Sequence, residues 1–104
     1  MKYRNKITYV GNIRFDSKRE ATYYLYLKGL EKQGTIKNLQ LQTKMPFKID
    51  GKTIFNYLAD FTYDDDFGHH IIDVKSPITE KNATFRLKKK LIEAQYKCEI
   101  EIVR

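Results

Sequence analysis

The sequence predicts an α/β domain: a mixed central β-sheet flanked by two helices in the order αβββαβ, preceded by an N-terminal β-hairpin. Three observations predict it. Two stretches, residues 17–33 and 82–95, carry apolar side chains at helical spacing. Three alternating runs lie between them, separated by strong turn signals. A last alternating run closes the chain. The 104 residues suffice for one domain with a modest core, and 41% of them are hydrophobic, including eight Tyr and six Phe. The chain should therefore fold alone as a single domain over residues 1–104.

Residues 7–10 and 13–15 read as two short strands around Gly11-Asn12. With Lys2, Arg4, Lys6, Arg14, Lys18 and Arg19 set against Asp16 alone, residues 1–15 form a basic hairpin or arm. The first helix follows. Ser17-Lys18-Arg19-Glu20 fits a capping box, while Glu20, Tyr23, Tyr24, Leu27 and Leu30 share one face. Glu20 thus has two readings, as a cap or as the first member of an inward stripe; sequence position alone favours the cap, and the two can coexist. Gly34 is the expected stop.

Residues 39–49 read as a strand that Pro46 marks as an edge or a bulge. Asp50-Gly51 signals a hairpin, with residues 52–63 returning. There Phe55, Tyr57, Ala59, Phe61 and Tyr63 are expected on one core face, with Asp60 on the other beside Leu58. After the acidic turn at residues 64–68, the strand over residues 70–75 sets Ile72 and Val74 opposite Asp73 and Lys75, and Pro77 ends it. His69 and His70 are adjacent, so they point to opposite faces and read as exposed or pairing groups rather than a metal site.

The second helix, capped by Thr79 or Asn82, presents Leu87, Leu91 and Ala94 as its apolar stripe. Arg86, Lys89, Lys90 and Glu93 fall outside. Lys88 shares a line with Phe85 and Ile92 and is harder to place. Residues 97–103 form the final strand, with Cys98, the single cysteine, as a small buried hydrophobe. No apolar run approaches membrane-spanning length and no signal-peptide core is present, so a cytoplasmic location is expected.

Charge narrows function. A formal net charge of +7 on so short a chain points to a polyanionic partner, most simply nucleic acid. Against that background, residues 59–75 are unusual, because Asp60, Asp73 and Lys75 converge where a small domain ordinarily places apolar groups. Burying such groups is costly unless they are paired or bind metal.

Asp60, twelve intervening residues, then Asp73-x-Lys75 is the D…(D/E)xK pattern. Further matches are Phe15-Asp16-Ser17-Lys18-Arg19-Glu20-Ala21, Tyr23-Tyr24-x-x-Leu27, Leu39-x-Leu41-Gln42, Tyr57-x-Ala59-Asp60-Phe61-x-Tyr63 and Phe85-Arg86-Leu87-Lys88. With these the chain resembles a DUF1064-like family of small phage-associated proteins of unknown function, grouped with the PD-(D/E)xK nuclease superfamily. Two departures stand out. Ser76-Pro77 replaces the glycine that family members generally carry after the lysine, and the Gln-x-x-Tyr element of RecB-like members is absent.

The resemblance implies a restriction-endonuclease-like core and Mg²⁺-dependent (or Mn²⁺-dependent) hydrolysis of DNA phosphodiesters. Asp60, Asp73 and the Val74 main-chain carbonyl would ligate the metal, with Glu20 as a further ligand or the holder of a metal-bound water. Lys75 would orient or help deprotonate the attacking water. Lys18, Arg19, Gln42, Arg86, Lys88 and Lys89 would contact nucleic acid. So short a chain offers little surface for reading sequence, so branches, nicks or a protein partner should direct it. Cutting two strands at once needs two active sites, which a homodimer would supply, although the sequence does not show one. The alternatives are a non-catalytic nucleic-acid-binding module and a factor that binds an acidic protein.

Overall fold

The computed structural model describes residues 6–104. Of the predicted basic arm, Lys2 and Arg4 lie outside the described residues. Strands β1 (Thr8–Val10) and β2 (Ile13–Phe15) pair antiparallel around Gly11-Asn12 as a separate two-stranded sheet. Helix α1 (Lys18–Lys32) starts at Ser17, whose hydroxyl accepts the Glu20 N–H at 3.1 Å, and Gly34 beyond its end takes a positive φ of 80°.

The main sheet has the order β3-β4-β5-β6, formed by β3 (Lys37–Ile49), β4 (Lys52–Asp65), β5 (Gly68–Val74) and β6 (Ile100–Val103). The first three strands pair antiparallel and β6 runs parallel to β5, so the sheet is mixed. Asp50 and Gly51, at φ 51° and 79°, make the two-residue turn between β3 and β4, in which both central residues need positive φ. Pro46 lies on an edge strand, where a missing N–H is tolerated, and a bulge follows at Phe47/Lys48.

Between β5 and β6 the chain forms two helices where one was predicted: α2 (Pro77–Glu80) and α3 (Ala83–Tyr96). The extra turn has a local cause. Pro77 presets φ at the first helical position, and Ser76 caps it by accepting the Thr79 N–H at 3.2 Å. Asn82, not Thr79, caps α3.

One layer covers each face of the sheet. On the α1 side, Tyr24 and Leu27 pack with Phe15, Phe61 and Ile72. On the α3 side, Ile92 packs with Met45, Tyr57, Ala59, Ile71 and Ile100, and Cys98 is half-buried against them.

Two sequence expectations are corrected here. The predicted row Phe55 to Tyr63 does not share one face: Phe55, Tyr57 and Ala59 lie with the α3 cluster, whereas Phe61 and Tyr63 lie with the α1 cluster. Alternation breaks at Gln42 and Asp60, which fall between the paired positions Leu41↔Phe61 and Thr43↔Ala59. Gln42 has a φ of 51°, a conformation that L side chains rarely adopt outside turns. The second correction concerns α3. Leu87 is 59% exposed and Ala94 is exposed, because the helix is rolled so that Phe85 and Ile92 face the sheet. Lys88 and Lys89 lie half-buried on that side, their apolar stems covering the core edge.

The histidines behave as pairing groups. His69 meets Asp64 at 2.6 Å, and His70 bridges Asp65 and Glu101 at 2.8 and 2.7 Å. Neither approaches the region where alternation breaks. No helix of the described residues is long and apolar enough to cross a membrane.

Candidate active site

The break in alternation creates the site. It turns Asp60 out of the β4 ladder towards the first turn of α1, beside the end of β5. An open cavity of about 370 Å³ forms there, with Glu20, Asp60, Val74 and Lys75 in its wall. Lys6, Lys18 and Arg19 stand along the same cavity, with Ser17, Ser76 and Thr79 beside them.

Glu20 resolves in favour of the inward reading. Its backbone N–H uses the Ser17 cap, but its carboxylate turns to the cavity, where Gln42 Nε2 lies 3.4 Å from Glu20 Oε2 and 3.4 Å from Asp60 Oδ1. One amide thus sits between two carboxylates. Burial and then the Asp60 charge push Glu20 up from 4.5 to about 7. Asp60 is also raised by burial, opposed chiefly by the Val74 N–H, which it accepts at 2.9 Å, and by Lys75.

Asp73 lies behind this wall rather than in it. It is fully buried, one oxygen accepting the Asp60 N–H at 3.0 Å and the other the Tyr57 hydroxyl. Burial lifts it to about 6, and Lys75 is the main opposing influence. Lys75 lowers the pKa of Glu20, Asp60 and Asp73 alike, so its charge is felt at all three carboxylates. Its Nζ stands 5.0 Å from the centre of the Phe85 ring, a cation–π contact that ties it to α3.

Of the residues predicted to meet nucleic acid, Lys18 and Arg19 reach this cavity and Gln42 bridges its carboxylates. The other three do not. Lys88 Nζ lies over the Phe55 ring at 5.3 Å, Lys89 pairs with Glu93 at 3.0 Å, and Arg86 lies along a separate groove on α3. The sequence reading missed Tyr57 and Phe85, which hold Asp73 and Lys75 and stack on each other with ring centres 6.5 Å apart. A buried tyrosine hydroxyl needs a hydrogen-bond partner, and that requirement could have drawn attention to Tyr57, three residues before Asp60.

The donors at the cavity are hard oxygens, the kind that suits Mg²⁺ or Mn²⁺. The Asp60 charge, after burial, raises Glu20, and a divalent cation relieves that repulsion. Glu20 and Asp60 fit such an ion, and Val74 lies in the same wall. Asp73 as observed has both oxygens committed, and among the described residues no three His, Cys, Asp or Glu side chains are arranged as a metal-binding group.

Fold and site together define a small α/β domain that gathers carboxylates and a lysine at one polar cavity. The family model described as "Protein of unknown function (DUF1064)" matches residues 1–103, and the chain belongs to that family. No curated protein and no solved structure matches the chain.

Proposed function

We propose that this protein is a metal-dependent DNA endonuclease of the PD-(D/E)xK type, directed by DNA structure or a partner and acting in phage DNA recombination, replication or processing. One observation carries the reading. Glu20 of α1, Asp60 of β4 and Lys75 just past β5 converge on one cavity with Lys6, Lys18 and Arg19 in a chain of net charge +7.

Each residue has a role that the chemistry of phosphodiester hydrolysis requires. Lys18 and Arg19 attract and seat the phosphate. Glu20, beside Asp60 in the cavity wall, holds the attacking water in place. Lys75 orients that water and stabilises charge as the phosphorus becomes crowded. Asp73 holds the Asp60 backbone in place, and Gln42 keeps the two cavity carboxylates apart. Attack forms one P–O bond and breaks another, the departing oxygen taking a proton from solvent. Mg²⁺ or Mn²⁺ held by Asp60, Glu20 and the Val74 carbonyl, and by Asp73 if it exchanges its Tyr57 bond, would supply charge neutralisation and a more acidic water.

The purified protein should nick or cut linear, nicked or branched DNA when Mg²⁺ or Mn²⁺ is present, and Asp73→Ala or Lys75→Ala should abolish this. Full activity in either variant would overturn the mechanism. The complete burial of Asp73 favours one second reading, a non-catalytic nucleic-acid-binding module. Salt-dependent DNA binding with no metal-dependent cleavage of any of these substrates would establish that reading instead.

A further inference from the structure

The β3–β4 ribbon runs well past the rest of the sheet, because β5 pairs with β4 only over the stretch from Phe61 to Asp65. From Thr43 and Ala59 to the turn, the ribbon is two strands wide. Helix α3 backs one face through Met45, Phe47, Phe55 and Tyr57. The other face carries, by strand alternation, Lys44 and Pro46 on β3 and Leu58 and Asn56 on β4, and at the bulge beyond them Lys48 pairs with Thr53 while exposed Ile54 is the extra residue.

Among the described residues, nothing covers that face. Helix α1 packs further along, on Leu39, Leu41, Phe61 and Ile72, and Ile54 and Leu58 are 54% and 52% exposed. The bare face also leads directly into the cavity. Lys44 is two residues from Gln42 and Leu58 is two from Asp60, so each pair lies on the same side of its strand.

Its chemistry selects an occupant. The face holds two lysines, no acid and two aliphatic side chains. A twofold-related second copy would set Lys44 and Lys48 against their own counterparts, which is unfavourable. Single-stranded nucleic acid is held by aromatic stacking platforms, and this face has no aromatic side chain. A duplex instead offers phosphates to the lysines and sugar edges to the aliphatics. From Asp60 to Ile54 the ribbon spans about 20 Å, roughly six base-pair steps.

We propose that this bare ribbon face seats the double-helical DNA flanking the phosphate to be cut, with Lys44 and Lys48 on its backbone and Leu58 and Ile54 against its sugars. The proposal rests on the nuclease reading for its orientation, but its test does not depend on cleavage. Binding of the full-length protein to a duplex of about 20 base pairs is measured by fluorescence anisotropy in EDTA across a salt series. The variant Lys44→Glu/Lys48→Glu should bind about tenfold more weakly or worse near 0.1 M salt, with the slope of log K against log salt smaller by about two. The control Lys32→Glu/Lys97→Glu, of equal charge change, should lose no more than about threefold.

Equal loss in both double variants, or none in the ribbon variant, would overturn the proposal. So would tighter binding of a single strand than of a duplex. A dimer in sedimentation that Leu58→Asp converts to a monomer would assign the face to a second copy and overturn it too. Duplex binding that needs the ribbon lysines, without any metal-dependent cleavage, would leave this inference standing and defeat the proposed function.

Discussion

Glu20 shows most clearly how one side chain serves local structure and chemistry at once. Its backbone completes the helix cap, while burial and Asp60 lift its carboxyl from 4.5 to about 7. The folded chain therefore keeps a proton that the unfolded chain releases at lower pH, so this group's contribution makes stability fall as pH rises from about 4.5 through about 7. Glu20→Gln removes that penalty. It should raise stability at pH 8 by on the order of 1–3 kcal/mol and change it little at pH 4, as read by denaturant unfolding at both values. Destabilisation at pH 8 would mean that the carboxylate is held by favourable contacts instead. Asp60, Asp73 and Lys75 stood out in the sequence because charge on alternating strands is costly without a reason, whereas Glu20 stood out only as a helix-cap residue on the inward stripe. Tyr57 and Phe85 were not, because an aromatic residue in an apolar row looks the same whether or not its edge or hydroxyl holds a neighbour.

At the scale of elements, the strands and helices followed from periodicity and turn chemistry, but two facings did not. The split of the β4 row depends on Gln42 adopting a left-handed backbone opposite the Asp60 region, and nothing in the residues near Gln42 demands that conformation. The roll of α3 was equally hidden. Leu87-Leu91-Ala94 and Phe85-Ile92 are both credible apolar lines, and only the shape of the underlying sheet chooses between them. Truncations can test that choice. Ile92→Ala, at a fully buried position, should cost about 2–5 kcal/mol, whereas Leu87→Ala should cost under about 0.5 kcal/mol. Equal costs in thermal or denaturant unfolding would restore the sequence-predicted roll.

At the scale of the whole molecule, the two covering layers leave open one end of α1 and one face of a long ribbon, and these openings are continuous. The mixed sheet and the order of elements were readable from the chain, apart from the short helix that Ser76 and Pro77 create. That short helix leaves Lys75 in the cavity wall and places Ser76 and Thr79 beside it. The account's central claim is that this wall holds a divalent cation for phosphodiester chemistry. Anomalous diffraction from crystals soaked in Mn²⁺ tests it most directly. A metal peak is expected in the cavity at Asp60 and Glu20, beside Val74 and Lys75. A saturating soak that leaves the cavity without a peak would contradict that claim.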